Sequence, residues 1–292
     1  MSFSSEVKDA LARELPEKEC CRDAMLYGML LFTAQPTDKQ IAFSTEIESV
    51  AEAFAFLIRS RFRLGVQVKK SGLFYKTEIT GSDCAFVCAV FPPDARTVRR
   101  EFFACEKCGA AFFRGVFLAS GFVNPPEKSF RVEMSTPDAD LACDTAVLLT
   151  SHFRLPKLSV RRGEQILYYR DAESVEYFLS YIGANAASFA VMNAQMLKEK
   201  RREVNRQANF EFANLTKTVN AAADQITAIR ALIDMGAFEK LPAPVRVTAK
   251  LRLEHDDVTA AELGALHEPP ISRSQVSKRL KRVTDFYQSL KP

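Results

Sequence analysis

Eight residues close to the C-terminus have the types and spacing to grip and read double-stranded DNA. Ser272-Arg-Ser-Gln275 is a capping box, in which the serine and glutamine side chains satisfy the free backbone N–H groups of a helix start. Val276, Leu280 and Val283 follow at steps of four and three, giving that helix one apolar stripe. Arg273, Ser274, Gln275, Ser277 and Lys278 occupy its opening turns, with Arg279, Lys281 and Arg282 beyond. An arginine can hold guanine, and a glutamine adenine, by two hydrogen bonds at once, each pairing worth about 1–3 kcal/mol of discrimination. Arg279, Lys281 and Arg282 suit phosphates, a contact that favours every sequence equally and weakens with salt. The chain's net charge is only +4, yet Ser272 to Pro292 holds six Lys or Arg, including Lys291, against the single acid Asp285. The excess positive charge lies where an electrostatic footprint for nucleic acid belongs.

Such a helix reads DNA only if other elements present it. Thr259-Ala-Ala-Glu262 caps a shorter helix with Leu263 and Leu266 on its apolar side, and His267-Glu-Pro-Pro270 turns the chain toward Ser272. The pair makes a helix-turn-helix at about 259–290, its second helix entering the major groove with N-terminal residues toward the bases. Upstream, Leu215, Val219, Ala222, Ile226, Ile229 and Ile233 recur at helical spacing up to a Gly236 C-cap. Leu241-Pro242-Ala243-Pro244 opens another helix, running to about Glu254. Residues 209–292 thus read as an all-α DNA-binding domain. Residues 184–208 read as a solvated linker helix, in which Arg201, Arg202 and Arg206 are secondary candidates for phosphate contact, as is Lys217 beyond it.

The first 183 residues contain a duplication. Ser60-Arg61-Phe62-Arg63-Leu64 recurs as Ser151-His152-Phe153-Arg154-Leu155, and Phe43-Ser44-Thr45 as Met134-Ser135-Thr136, dividing the region into units of about 1–90 and 91–183. Each unit reads as an apolar helix (Asp23 to Thr33; Cys108 to Ser120, with Phe112 to Val123 helical throughout) and a strand (Gln40 to Ser44; Ser129 to Met134). An amphipathic helix follows, buried through Val50, Ala53, Phe54, Leu57 and Ile58 in the first unit and Leu141, Ala142, Thr145, Leu148 and Leu149 in the second. Two strands close each unit, Val66 to Lys70 with Phe74 to Ile79 and Leu158 to Arg162 with Ile166 to Arg170, turning at Ser71-Gly72 and Gly163-Glu164. The fold class is α+β in this region, a pseudo-twofold pair sharing one continuous sheet, followed by the all-α helix-turn-helix domain. Lys69, Lys70, Arg161 and Arg162 fall on those strands, where they either touch DNA or guard a solvated edge.

The first helix of each unit has the small-residue frame of a LAGLIDADG homing-endonuclease motif. Gly115 is followed five positions later by Ser120 and then Gly121, and Gly28 by Thr33 and then Ala34. In LAGLIDADG endonucleases these helices pack closely at the repeat boundary, and an acid at the end of each reaches the scissile phosphates. Thr33 and Ser120 stand where that family needs a carboxylate, and neutral hydroxyls do not hold the metals that phosphodiester cleavage requires. The resemblance therefore implies the fold without nuclease activity and with no catalytic residue.

Other chemistries find less support. No uncharged apolar run approaches a membrane span and no signal peptide is evident, so the expectation is a cytoplasmic, nucleoid-associated protein without membrane contact. His152, His255 and His267 are scattered and no nucleophile pairs with them, so no small-molecule substrate or cofactor is assigned. Cys20-Cys21 and Cys105-x-x-Cys108 sit at corresponding points of the two units, a conceivable four-cysteine zinc site. Adjacent cysteines rarely supply two tetrahedral ligands, and cysteines opening apolar helices usually pack as small hydrophobes, so no metal is assigned. Cys84 and Cys88 read as core.

The duplicated region without its acids, RGVFLASGFVNPPEKSF (Arg114 to Phe130) and RREVNRQANFEFANLTKTVNAA (Arg201 to Ala222) closely resemble the WhiA regulators of Gram-positive bacteria. LRLEH (Leu251 to His255), ELG (Glu262 to Gly264) and the helix-turn-helix extend the resemblance over nearly the whole chain. It implies a sequence-specific regulator that binds double-stranded DNA in sporulation, or in cell division and chromosome segregation. A sigma factor or RNA polymerase is the implied protein partner. The alternative reading is a protein-interaction regulator for which DNA binding is secondary.

Overall fold

The computed structural model of the protein describes residues 2–33, 40–92 and 97–290, in two units, Met1–Glu199 and Lys200–Pro292. Ala34 and Lys291 lie outside the described residues. Helix α1 (Phe3–Arg13) starts on Ser2, whose hydroxyl accepts the Ser5 N–H, and buries Val7, Leu11 and Ala12. One pattern then occurs twice. Its first copy is α2 (Glu19–Leu31), β1 (Gln40–Thr45), α3 (Glu48–Phe62), β2 (Val68–Ser71), β3 (Phe74–Thr80) and α4 (Gly81–Val90). Its second copy is α5 (Cys108–Ser120), the short β4 (Phe122–Val123), β5 (Val132–Thr136), α6 (Ala139–Thr150), β6 (Lys157–Arg161), β7 (Glu164–Tyr169) and α7 (Ala172–Tyr181).

The repeat centres on α2 against α5. Both helices are buried on nearly every side, through Tyr27, Met25 and Met29 in one and Phe112, Phe113 and Phe117 in the other. Burying each such side chain contributes about 1.5–3 kcal/mol. Tyr27 stacks among Phe91, Phe102 and Phe112, and its hydroxyl accepts the Arg99 N–H at 2.9 Å, seating the chain between the two repeats. The apolar stripes expected on α3 and α6 are all buried.

Several boundaries differ from the sequence expectation. The sheet is not continuous: one repeat carries β1-β3-β2 and the other β4-β5-β7-β6, both antiparallel. The repeats meet through helices brought backbone to backbone, and β4 covers the edge of β5. Helix α5 ends at Ser120, so Phe112 to Val123 is not helical throughout; Gly121 turns out of it against Phe117, where a side chain would overlap the ring. The strand expected at Ser129 to Met134 begins only at Val132, because the Lys128 and Ser129 N–H groups bond the Pro125 carbonyl in a turn. Both hairpin turns fall elsewhere by one residue, at Gly72-Leu73 and Arg162-Gly163. Gly72, Arg162 and Gly163 take positive φ there, which tight hairpins require, so Arg162 leaves its strand.

In the helical region, α8 (Asn185–Asp234) is one 50-residue helix and replaces the expected linker helix and the separate helix after it. No Gly or Pro interrupts residues 184–235. Of the expected stripe only Ile229 is buried: Ala222 and Ile226 are half-buried and Leu215, Val219 and Ile233 exposed, and the face that enters a core is Ala228, Ile229 and Leu232. Periodicity marks an apolar face, but burial needs a partner, and residues 199–221 are exposed throughout. Helices α9 (Ala243–Glu254), α10 (Ala260–Ala265) and α11 (Arg273–Ser289) complete this unit. Leu263, Val276 and Leu280 form one cluster, and Val283 joins Ile229, Leu232, Phe238 and Val245 in another. Leu266, expected in the core, falls beyond the end of α10 and is exposed.

Candidate nucleic-acid interface

Both capping boxes form. The Ser272 hydroxyl accepts the Gln275 N–H at 3.3 Å, and Gln275 Oε1 accepts the Ser272 N–H at 3.1 Å. Thr259 and Glu262 do the same at 3.3 and 2.7 Å, and the Thr259 N–H holds the Glu262 carboxyl below its usual range. These local bonds set where α10 and α11 begin and therefore which residues of α11 face outward. Gly264 sets their spacing: a Cβ there would overlap the Ile271 carbonyl oxygen, which the chain brings across just before α11.

Seven of the eight expected DNA-contact residues are exposed: Arg273, Ser274, Gln275, Ser277, Lys278, Lys281 and Arg282. Ser274, Lys278 and Arg282 stand at steps of four along the face away from the core. Ser277 and Lys281 line a cleft of about 530 Å³ together with Asp224 and Thr227 of α8. Two of the eight side chains have partners within the domain. The eighth residue, Arg279, is half-buried and turns back to α9, where Nη1 donates to the Pro244 carbonyl and to Thr248 Oγ1, both at 3.3 Å. These bonds brace the helix-turn-helix. Gln275 uses Oε1 in the capping box, and that is the atom a two-bond contact to adenine needs.

The brace extends further. Thr248 Oγ1 also meets His267 Nε2 at 3.2 Å, and burial followed by the nearby Arg279 charge holds the His267 imidazole below its ordinary range. Arg252, in the LRLEH segment, is buried and donates from Nη1 to the carbonyls of His255 (3.2 Å) and Val258 (2.7 Å), closing the loop between α9 and α10. Sequence reasoning missed both residues. The available signal was an arginine inside an apolar helix stripe, which has to find acceptors.

In the first unit, Thr33 and Ser120 satisfy the ends of the helices they terminate. Thr33 Oγ1 donates to the Met29 carbonyl at 2.7 Å, and Ser120 Oγ donates to the Val116 carbonyl at 3.4 Å while accepting the Ser135 N–H at 3.3 Å. Close by, Lys8 donates to the Leu118 carbonyl at 3.2 Å, and burial pulls its ammonium down to about 8. Lys69 and Lys70 lie exposed on β2, and Arg161 on β6, the corresponding edge strands of the two sheets; Arg162 is exposed in the turn after β6. Arg161 shares Glu133 with Arg131, which offsets its charge. Arg201, Arg202, Arg206 and Lys217 are all exposed on α8.

The cysteines at corresponding points of the two units come together. Cys20, Cys21, Cys105 and Cys108 converge with their Sγ atoms all within 4.8 Å of one another. Adjacent Cys20 and Cys21 both reach the cluster because they sit in the first turn of α2, at the end that meets the start of α5. Among the described residues, no helix is long and apolar enough to cross a membrane.

Comparison with known proteins agrees with this architecture. Residues 109–201 match the WhiA LAGLIDADG-like domain and residues 204–287 the WhiA C-terminal HTH domain. The chain is 34% identical to the probable cell division protein WhiA of Heliobacterium modesticaldum, over 99% of this chain and 97% of that protein. It is 32% identical to that of Desulforamulus reducens, over 100% and 97%. The crystal structure of full-length DUF199/WhiA from Thermatoga maritima superposes with a TM-score of 0.57 at 21% identity, covering all of both chains, and shows the same fold. With both halves of its architecture matched and relatives aligned over almost its entire length, the chain belongs to the WhiA family.

Proposed function

We propose that the protein is a sequence-specific DNA-binding transcriptional regulator acting in cell division, chromosome segregation or sporulation. It is cytoplasmic and nucleoid-associated, and it is not an enzyme. One observation carries the reading: α11 is started by its own capping box, braced by Arg279, and presents Arg273, Ser274, Lys278 and Arg282 to solvent. Arginine and lysine on a helix face of that size suit the major groove, with Arg273 and Ser274 toward the bases and Lys278, Lys281 and Arg282 on phosphates. The cell-division role rests on the names of the relatives. The absence of nuclease activity rests on Thr33 and Ser120, which carry no charge and bond the ends of their own helices.

The test is genomic mapping of full-length protein on chromatin, followed by mobility shifts of the recovered fragments over a salt series. Preference for those fragments over scrambled DNA, lost in Arg273→Ala, is the expected result. Equal binding to every sequence overturns the assignment. Cleavage of duplex DNA with magnesium, abolished in Thr33→Ala or Ser120→Ala, overturns the non-enzymatic part.

A second reading has one observation in its favour. Phe212, Leu215 and Val219 are exposed on one face of the middle of α8, an apolar surface suited to a protein partner such as a sigma factor or RNA polymerase. On this reading DNA binding is secondary, and substituting these residues disrupts regulation while leaving the mobility shift unchanged.

A further inference from the structure

The four-cysteine cluster lies at the opposite end of the α2/α5 pair from Thr33 and Ser120. Cys20 and Cys21 are in the first turn of α2; Cys108 opens α5 and Cys105 sits in the turn before it. The sulfurs stand 3.5 Å apart between Cys21 and Cys105, 3.5 Å between Cys105 and Cys108, and 3.7 Å between Cys20 and Cys105. Four thiolates at about 2.3 Å from one tetrahedral zinc ion stand about 3.8 Å apart, so the sulfurs already lie near the vertices of that figure. A cluster of several irons spreads its cysteines around a larger body.

Two helix starts face the cluster. Neither helix has a side-chain N-cap: Lys18 and Lys107 occupy those positions and make no capping hydrogen bond. Two helix starts without side-chain caps, flanked by two lysines, point at one group of sulfurs, and the partial positive charge of a helix start offsets part of the charge of a four-thiolate site. A cleft of about 580 Å³ lined by Lys18, Cys21, Lys107 and Arg114 opens beside the cluster and supplies an entry path.

We infer that Cys20, Cys21, Cys105 and Cys108 bind one zinc ion that clamps the two repeats together. The four thiols release their protons to solvent as the ion binds, and nothing is oxidised or reduced. All four positions are filled by protein, so the site is structural. It joins Cys20 to Cys105, 85 residues on, with one pair of cysteines from each repeat, at the starts of the two helices that touch through Gly28 and Gly115.

The test is metal analysis of the full-length protein purified without chelator. About one zinc per chain is expected. The zinc should be lost in Cys105→Ser and in the double variant Cys20→Ser/Cys21→Ser, and retained in Cys143→Ser, whose cysteine is exposed elsewhere. Should Cys105→Ser fail to fold, wild-type protein stripped of metal and refilled with cobalt gives the second reading. The visible absorption and thiolate-to-metal bands of a tetrahedral four-sulfur site are then expected. Zinc well below one per chain with all seven thiols reactive overturns the inference. So does a disulfide among these four cysteines in the freshly isolated protein, or iron in place of zinc.

Discussion

Gly28 and Gly115 occupy reciprocal positions on two crossing helices: a Cβ on Gly28 would overlap the Phe112 carbonyl oxygen, and a Cβ on Gly115 would overlap that of Met25. The same relation holds one turn on, where they would meet the Val116 and Met29 N–H groups. The obstacle is helix backbone on both sides, which cannot move aside as a flexible side chain can.

Gly115→Ala should therefore destabilise the first unit by about 3 kcal/mol, the upper end of the range for overpacking a core. Urea unfolding of the full chain measures this. Gly65, which has nothing within 4 Å of its Cβ position, is the control, and Gly65→Ala is expected to leave the midpoint unchanged. Equal effects at both positions would show that helix contact is not what requires glycine.

Arg279 and Arg282 should separate bracing from binding. Arg279→Ala removes two hydrogen bonds to α9 and lowers stability by about 1–3 kcal/mol. Arg282→Ala, on the exposed face, should leave the melting temperature unchanged and weaken binding to all DNA sequences alike, reducing the salt slope by about one. The pattern reverses if Arg279 contacts phosphate and Arg282 braces the fold.

Acid should loosen the helix-turn-helix through His267. Its folded pKa lies below the ordinary value of about 6.5, because burial and the Arg279 charge disfavour the imidazolium. Above that value the ring is neutral in both states and nothing is lost. As pH falls below it, the unfolded chain takes up a proton that the folded one resists, and stability drops. Denaturant midpoints followed from pH 7.5 down to pH 5.5 are expected to fall, and the slope should flatten in His267→Gln.

Arg252→Met keeps the bulk of the side chain and strands the carbonyls of His255 and Val258. A loss of about 2–3 kcal/mol is expected, as for hydrogen bonds from a charged donor. Arg252→Lys should recover only part of it, since an ammonium lacks the planar fork that spans two carbonyls. Calorimetric unfolding of the two variants and the wild type decides; a methionine variant as stable as the wild type would make the bonds dispensable.

Much of this protein was legible in its residues because the relevant physics is local. A capping box closes within four residues, so Thr259 and Ser272 mark helix starts wherever they fold. Apolar spacing identified the buried faces of α3, α6 and α11, and two recurring segments disclosed the duplication. The uncharged Thr33 and Ser120 are likewise visible as residue types.

Other features depend on what distant segments bring near, and residue spacing carries no record of that. Whether a periodic face is buried depends on a partner, which is why Leu215 and Val219 lie exposed on an unbroken α8. The hydrogen bond of Arg279 to the Pro244 carbonyl of α9 is invisible in the spacing, whereas the Gln275 Oε1 bond to its own cap is local. The four cysteines fall at corresponding points of the two units, which makes a shared site conceivable, but spacing along the chain does not bring them together. Only the crossing of α2 and α5, permitted by two glycines that let helix backbones touch, gathers them into one cluster.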